Sequence, residues 1–401
     1  MDNCNKCGLC LVNCPVYRES REEPVSPRAK VQLIKHYRDS DLPGSAYLKD
    51  LISTCLMCGN CTTTCPSGVE HDVLFSRMRF EMIQDYGQEW SLKALFHFLS
   101  HEQQLRFAAK MARLGRSLAS KRLLNRYKLG AISLERTPPF NPVPFRRQWP
   151  SVNEPDFASR GTVLYFTGCA TNHIYADVGR SVVGVLLKMG FRVEIPADQV
   201  CCGMPFFLNG RPDQAGEMIE RNLHCLNRKD IEAVVVDCAT CGSALRKEYP
   251  RMLAELGLSA EAAKELSTRV RDVSEFIADR LDLISPLLRE SGSRQIATYH
   301  APCHLRNWQG IGPHGIEKLL SCLPGVEYKA VADRDRCCGG GGSFFLKHPE
   351  ISKGIVSGKI ASIEKSGASV LATGCPSCRI NFAGNMDQSV QVLHPVQLVA
   401  A

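Results

Sequence analysis

The spacing of apolar residues changes along the chain. Beyond residue 160 four short β-branched runs stand out, at Thr162–Phe166, Ala233–Val236, Ile296–Tyr299 and Ser369–Ala372, each followed by turn residues and then by a stretch with helical spacing. Brief, continuous apolar runs are the mark of strands buried on both faces. The helical segments Ala176–Met189, Pro212–Leu226 and Pro349–Ile363 alternate with them, so this part of the chain predicts parallel α/β units. Nearer the N-terminus, Arg28-Ala29-Lys30-Val31-Gln32-Leu33-Ile34 has the apolar spacing of a helix. From Ser91 to Gly130, Leu95, Phe98, Leu99, Leu105, Phe107, Ala108, Met111, Leu114 and Leu118 recur at helical intervals and predict an amphipathic helix or helix pair. Pro138, Pro139, Pro142, Pro144, Pro150 and Pro155 follow, six prolines in 18 residues, which predicts an extended, semi-rigid linker.

Cysteine placement adds chemistry to this outline. Of the 20 cysteines, 18 fall into four ordered blocks. The first is Cys4-x-x-Cys7-x-x-Cys10-x-x-x-Cys14-Pro15, and the second repeats it as Cys55-x-x-Cys58-x-x-Cys61-x-x-x-Cys65-Pro66. This is the run used by two-cluster ferredoxins, in which the fourth cysteine of each motif ligates the other cluster. Cys4, Cys7, Cys10 and Cys65 are therefore assigned to one [4Fe-4S] centre, and Cys55, Cys58, Cys61 and Cys14 to the other. Structural zinc prefers two separated pairs, and disulfides need an oxidising compartment; neither fits this pattern. The 40 residues between Cys14 and Cys55 read as a ferredoxin loop expanded by a helix.

The other two blocks also match one another. One reads Cys169, 31 residues, Cys201-Cys202, 35 residues beginning with Gly203, Cys238-x-x-Cys241; the other reads Cys303, 33 residues, Cys337-Cys338, 36 residues beginning with Gly339, Cys375-x-x-Cys378. Corresponding cysteines lie 134 to 137 positions apart, so this half is an internal duplication. The first cysteine and the Cys-x-x-Cys pair of each repeat follow predicted strands, where parallel sheets collect ligands, and the Cys-Cys-Gly loop approaches from the side. Five thiolates exceed what a tetrahedral ion needs. Gly339–Gly342 lacks both the G-x-G-x-x-G spacing and the Lys-Ser/Thr of a phosphate loop, and reads as backbone held close to a cluster. His300 and His304 flank Cys303; each either tunes a cluster by hydrogen-bonding sulfur, donates protons to a substrate, or is a satisfied structural histidine. Cys225 and Cys322 lie outside the motifs and read as buried, inert thiols.

Composition narrows the class. A chain of 401 residues, 44% hydrophobic, has room for two or three cores. Cys4 leaves no space after Met1 for a signal h-region, and no apolar stretch approaches the ~18 residues of a membrane span, so a cytoplasmic location is expected. Peripheral attachment at the inner face of the cell membrane stays open. The formal charge of +8 is uneven: residues 91–130 hold nine Lys or Arg against Glu102 alone. That segment is either an interdomain helix with a solvated face or a docking surface for an acidic partner or an anionic membrane. No reading element for nucleic acid accompanies it. No dinucleotide fingerprint, nucleophile-base set or pyridoxal lysine motif is present.

On these motifs the chain resembles the proteins with two ferredoxin motifs and paired cysteine-rich CCG domains. They include the iron-sulfur subunits of glycolate oxidase and related lactate dehydrogenases, the C subunit of anaerobic glycerol-3-phosphate dehydrogenase, and heterodisulfide reductase subunits. Ser26-Pro27-Arg28-Ala29-Lys30 and Cys65-Pro66-Ser67-Gly68-Val69 resemble the glycolate/lactate type. The resemblance implies an α+β protein with α/β parts: a helical two-cluster ferredoxin-like domain (1–85), a basic helical segment and linker (86–160), and two CCG domains (161–285 and 286–401). By the same resemblance Cys169, Cys201, Cys202, Cys238 and Cys241 would hold one non-cubane [4Fe-4S] cluster, and Cys303, Cys337, Cys338, Cys375 and Cys378 another. A cubane using four of the five cysteines, or zinc at one site, stays open.

The implied function is an oxidoreductase subunit, carrying electrons from the FAD of a partner glycolate or lactate dehydrogenase to a membrane quinone, a cytochrome b or another carrier. Both five-cysteine motifs are complete here, whereas glycolate oxidase subunits often have one eroded. That keeps the alternative of a catalytic subunit that reduces a disulfide at a non-cubane cluster.

Overall fold

The structure, a computed structural model, describes residues 3–288 and 294–401. Residues 289–293, which the sequence division places near the start of the second CCG domain, lie outside the described residues.

The N-terminal region is helical. Helix α1 (Pro27–Arg38) starts where its sequence says it should: Ser26 Oγ accepts the Ala29 N–H at 3.1 Å and Pro27 occupies the first turn. Ser45 caps α2 (Ala46–Ser53) in the same way. With α3 (His71–Tyr86) these helices enclose a core of Val31, Ile34, Leu48, Ile52, Phe75, Met78 and Met82. The basic segment forms α4 (Trp90–Ser100) and α5 (Glu102–Leu118), which pack on each other, and a third, short helix, Lys121–Arg126. A small antiparallel hairpin follows, β1 (Lys128–Leu129) with β2 (Ile132–Ser133).

The proline-rich stretch does not act as a spacer. Phe145 is fully buried, its ring so close to Gly179 that a Cβ there would lie 2.8 Å away. Ile132 is equally buried against Gly384 of the second repeat, and Arg136 Nη1 donates to the Met386 carbonyl at 3.1 Å. The expected separator is a strap tied to the first repeat, and the segment just before it is tied to the second, because their apolar residues find partners that local sequence does not reveal. The last part of the strap, β3 (Val152–Asn153), becomes an antiparallel edge strand of the first sheet.

The first repeat contains β4 (Gly161–Phe166), α6 (Ala176–Lys188), β5 (Phe191–Glu194), α7 (Pro212–Leu226), β6 (Ala233–Val236) and β7 (Val270–Asp272). The second contains β8 (Gln295–Tyr299), α8 (His314–Ser321), β9 (Val326–Tyr328), α9 (Pro349–Lys365), β10 (Val370–Ala372), α10 (Pro376–Asn385), β11 (Gln391–Leu393) and α11 (Pro395–Ala400). Strand order is β3-β5-β4-β6-β7 in one sheet and β9-β8-β10-β11 in the other. Apart from β3 all pairings are parallel, and the order is the same in both, as a duplication requires. The four β-branched runs become β4, β6, β8 and β10, buried on both faces. One apolar core runs through both repeats and includes Val182, Val193 and Phe276 of the first with Ile316, Val356 and Val399 of the second. The chain is thus an α+β protein with a helical ferredoxin-like part and two α/β repeats.

Two cysteine expectations are corrected. Cys225, on α7, is half-buried, and Cys322 is exposed. Helix α8 buries Ile316, Leu319 and Leu320, and at about 100° per residue Cys322 projects well away from that face.

Candidate metal centres

The two ferredoxin-type loops have the same backbone. Lys6 and Met57, two residues after the first cysteine of each motif, have φ of 55° and 52°, and Gly8 and Gly59 have φ of 81° and 76°. A left-handed non-glycine residue is uncommon, and its recurrence at equivalent positions marks a loop wound around something at its centre. A short helix in each loop, Leu9–Val12 and Asn60–Thr63, carries the third cysteine. Proline then redirects the chain, so the fourth cysteine leaves its own loop. Cys14 joins Cys55, Cys58 and Cys61 around one small cavity. Cys65 joins Cys4, Cys7 and Cys10 around another. The fourth cysteine of each motif thus lines the cavity of the other motif's first three.

Electrostatics favours a metal cluster in both. Burial pushes the Cys10 thiol up to about 11, with Cys4, Cys14 and Cys65 adding to the push. Burial also raises Cys58 and Cys61. Thiols crowded this closely ionise together only around a cation that takes thiolate ligands. Amides already point at sulfur, with Tyr17 N–H donating to Cys14 and Val69 N–H to Cys65, each at 3.5 Å.

Sequence reasoning gave no role to Lys30 or Arg79. Lys30 is 2% exposed, lines the cavity of Cys14, Cys55, Cys58 and Cys61, and its Nζ donates to the Thr54 carbonyl at 2.5 Å. Arg79 donates to the carbonyls of Leu208, Ser53 and Cys55 at 2.7, 2.9 and 2.7 Å. Burial lowers the pKa of both, and the Cys55 thiolate opposes that effect. A buried lysine with one carbonyl partner is costly unless negative charge sits beside it. Four thiolates supply that charge. The available signal was a lysine on the apolar stripe of α1, next to Val31 and in phase with Ile34.

Each repeat gathers its five thiols at the carboxyl ends of three adjacent strands. Cys169 follows β4, Cys201 and Cys202 follow β5, and Cys238 follows β6; Cys303, Cys337–Cys338 and Cys375 follow β8, β9 and β10. The chain leaves β4 to one side and returns on the other, so the thiols meet at the topological switch point. In the first repeat the sulfur contacts run Cys169, Cys201, Cys202, Cys241, Cys238. In the second they run Cys303, Cys337, Cys338, Cys378, Cys375, with Cys338 and Cys378 sulfurs 3.1 Å apart. Hydrogen bonds from Cys201 and Cys241 bring Cys202 down to about 6, and those from Cys303 and Cys338 lower Cys337. Five converging thiols in each set exceed the four ligands of a single tetrahedral ion.

The two repeat sites are not identical. His300 is 1% exposed, neither ring nitrogen has a hydrogen-bond partner among the described residues, and its ring packs edge-on against Phe382 at 5.0 Å. One nitrogen groups with the Cys338 and Cys378 sulfurs, all within 4.8 Å of one another. The equivalent position in the first repeat, three residues before Cys169, is Phe166. His304 differs from His300: its Nδ1 lies 2.9 Å from Thr240 Oγ1 and its Nε2 3.2 Å from the Met57 carbonyl. Burial lowers both imidazoles and keeps them neutral. With Nε2–H donating to Met57 and Nδ1 accepting from Thr240, His304 has no free nitrogen for a cluster or substrate.

The glycine run lies close to the ligand sulfurs, the Gly339 and Gly340 N–H groups donating to Cys337 and Cys338 at 3.4 Å, and it also packs tightly on protein. A Cβ on Gly339 would lie 2.6 Å from the Ser352 carbonyl, on Gly340 2.8 Å from Ser377 Oγ, and on Gly341 2.5 Å from Leu56. The backbone closes against protein, and Gly341 seats it on the loop between Cys55 and Cys58.

The ferredoxin-like part meets the second repeat at their ligand loops. Cys7 is exposed, whereas Cys58 is buried beside Cys337 in one apolar cluster with Leu56, Phe344 and Ile355. Thr240, within the Cys238–Cys241 loop, touches both His304 and Cys375 across the repeat boundary. A cavity of about 430 Å³ lies between the ferredoxin-like part and the repeats. Its wall includes Cys55, Cys169, Cys202, Cys238 and Cys241, with much apolar surface from Phe96, Leu99 and Phe344.

Comparison with known proteins agrees with this geometry. Residues 1–69 match the 4Fe-4S dicluster domain, and residues 163–246 and 297–383 match the cysteine-rich domain. The chain is 28% identical to a subunit of the fumarate reductase (CoM/CoB) of Methanothermobacter marburgensis, over 99% of this chain and 71% of that protein. It is 27% identical to the probable glycolate oxidase iron-sulfur subunit of Bacillus subtilis, over 95% and 88%. It is 26% identical to a subunit of the dihydromethanophenazine:CoB–CoM heterodisulfide reductase of Methanosarcina mazei, over 96% and 89%. These relatives are oxidoreductase subunits. The chain accordingly belongs to the family of iron-sulfur subunits that join a 4Fe-4S dicluster domain to two CCG domains, the family shared by glycolate oxidase iron-sulfur subunits and heterodisulfide reductase subunits.

Proposed function

We propose that this chain is the electron-transfer subunit of a flavin-dependent 2-hydroxyacid dehydrogenase, taking electrons from the FAD of a glycolate- or lactate-oxidising partner and delivering them to a quinone or another carrier. The observation that carries this reading is the series of thiol sets: an exposed one at Cys7, a buried one at Cys58, and a repeat site at Cys337 against Cys58. Cys4, Cys7, Cys10 and Cys65 would hold one cubane, and Cys14, Cys55, Cys58 and Cys61 a second. The repeats would hold one or two further clusters, zinc being the alternative occupant of one. Such clusters, when bound, supply one-electron transfer. The protein's share is to fix their order, to exclude water with Leu56 and Phe75, and to set positive charge from Lys30 beside the second ferredoxin-type site. His300 would point an N–H at sulfur in the second repeat.

A second reading is favoured by the cavity on the first-repeat thiols, large enough to admit an organic disulfide. In that case the chain itself would be the reductase.

Anaerobic affinity purification from the native cell, with mass spectrometry of co-purifying chains and an iron count, tests the proposal. An FAD-linked partner in equal amount, with activity on glycolate or lactate, supports it. A stable, iron-replete chain without a partner overturns it, and a disulfide-dependent spectral change in that isolated chain would establish the second reading.

A further inference from the structure

Helix α5 is apolar on two opposite faces. Leu105, Ala108 and Ala109 face the protein, where Arg116 donates to the carbonyls of Thr137 and Glu135 at 2.7 and 2.6 Å. On the other side Phe107, Met111, Leu114 and Leu118 are 68%, 48%, 51% and 79% exposed. At about 100° per residue these four fall within a sector of roughly 60°, a continuous stripe along three turns. Nothing among the described residues covers it.

The charges beside the stripe are of one sign. Arg106, Lys110 and Arg113 flank it on α5, and Lys121, Arg122, Arg126 and Lys128 follow it in sequence. None of these seven has an ion pair among the described residues; the single acid of the segment, Glu102, is held by Arg146 at 3.3 Å. An exposed apolar stripe bordered by unpaired cations matches a surface that is anionic outside and apolar beneath. Long Lys and Arg side chains reach headgroups while the stripe enters the acyl boundary. An acidic protein would meet the cations, but it gives no reason for four large apolar side chains aligned in one narrow sector.

We propose that α5 docks this chain on an anionic lipid bilayer, lying in the plane of the interface with Phe107, Met111, Leu114 and Leu118 inserted. No helix among the described residues is long and apolar enough to cross a membrane, so attachment is peripheral. The preceding helix, α4, contributes Leu95, Phe96 and Leu99 to the wall of the large cavity, so docking brings that chamber near the lipid surface.

The test uses the full chain, purified anaerobically, and co-sedimentation with extruded vesicles of phosphatidylcholine alone or mixed equally with phosphatidylglycerol. The expected result is binding to the anionic vesicles only, weakened but not abolished by salt. Because the stripe is exposed, Phe107→Ser/Leu114→Ser keeps the fold and iron content and weakens binding by about tenfold or more. Lys110→Glu/Arg113→Glu abolishes the preference for anionic lipid. Absence of binding to either vesicle at low ionic strength overturns the proposal, as does binding that the serine pair leaves unchanged. Capture of an acidic protein by a chain that ignores lipid assigns the face to a protein partner instead.

Discussion

His304 Nε2 meets the Met57 carbonyl at 3.2 Å although the two residues are 247 positions apart. Met57 lies between Cys55 and Cys58, and His304 follows Cys303, so one hydrogen bond joins a ferredoxin-type loop to a repeat site. The other ring nitrogen holds Thr240 of the first repeat. A single neutral imidazole therefore fixes three ligand loops relative to one another.

His304→Leu removes the imidazole donor to the Met57 carbonyl and one of the two partners of the Thr240 hydroxyl. The expected loss is about 2 to 3 kcal/mol of stability, read as a lower denaturant midpoint under anaerobic conditions. His304→Gln, which can still bridge the two, recovers part of it.

Removal of the buried charge in Lys30→Met should make the Cys14, Cys55, Cys58 and Cys61 site harder to reduce, since a neighbouring cation favours the more negative reduced state. A fall of about 60 mV corresponds to a tenfold change for one electron. Redox titration followed by electron paramagnetic resonance reads it. A potential unchanged in an iron-replete variant would show that Lys30 acts on packing alone.

The crossing of ligands predicts which signal each cysteine controls. Cys14→Ser should perturb the same signal as Cys58→Ser, and Cys65→Ser the same signal as Cys4→Ser, each with loss of iron up to about four atoms per chain. If Cys14→Ser instead changed the signal shared by Cys4 and Cys7, each motif would ligate its own cluster.

His300→Leu should alter the spectrum of the second repeat's site and leave the first repeat's unchanged, whereas Phe166→Ala should affect only the first. The basis is the orphaned imidazole near Cys338 and Cys378 and its apolar counterpart near the first site. Identical spectra for His300→Leu and the parent would reduce His300 to packing against Phe382.

Lys359 gives a pH dependence that does not involve the clusters. Its Nζ is buried and donates to the Asp333 carbonyl at 2.6 Å, and burial brings its pKa from 10.5 down to about 8. The unfolded chain keeps this proton up to about 10.5, so unfolding takes up a proton between pH 8 and 10.5 and stability from this group rises across that window. The full effect approaches about 3 kcal/mol. Lys359→Met should lose this slope, and urea titrations of both proteins at about pH 7.5 and about pH 10 measure the difference.

Chemistry that depends on local spacing was legible in the sequence. Each ferredoxin-type motif closes within a dozen residues, so the spacing of Cys4 through Cys14 and of Cys55 through Cys65 dictates the loop around its centre. The strands were legible for the same reason: β4, β6, β8 and β10 are buried on both faces and leave a continuous apolar record. The packing of Phe145 in the proline-rich strap, and of Ile132 ahead of it, was not legible, because their partners come from α6 and α10, far away in the chain. Nor was the exposure of Cys322, which depends on which face of α8 the second sheet covers.

Tertiary structure alone decided how the sites are joined. The sequence placed His300 and His304 on equal terms beside Cys303; docking of the ferredoxin-like part and of the first repeat gave His304 one partner each and left His300 with none among the described residues, facing thiols. It set Cys58 against Cys337, and it put Lys30 and Arg79 beside thiols that sequence distance would not connect. The physical reason is that ligand type and spacing are properties of a short segment. Burial, charge neighbours and the order of centres belong to surfaces that meet only after the segments have folded.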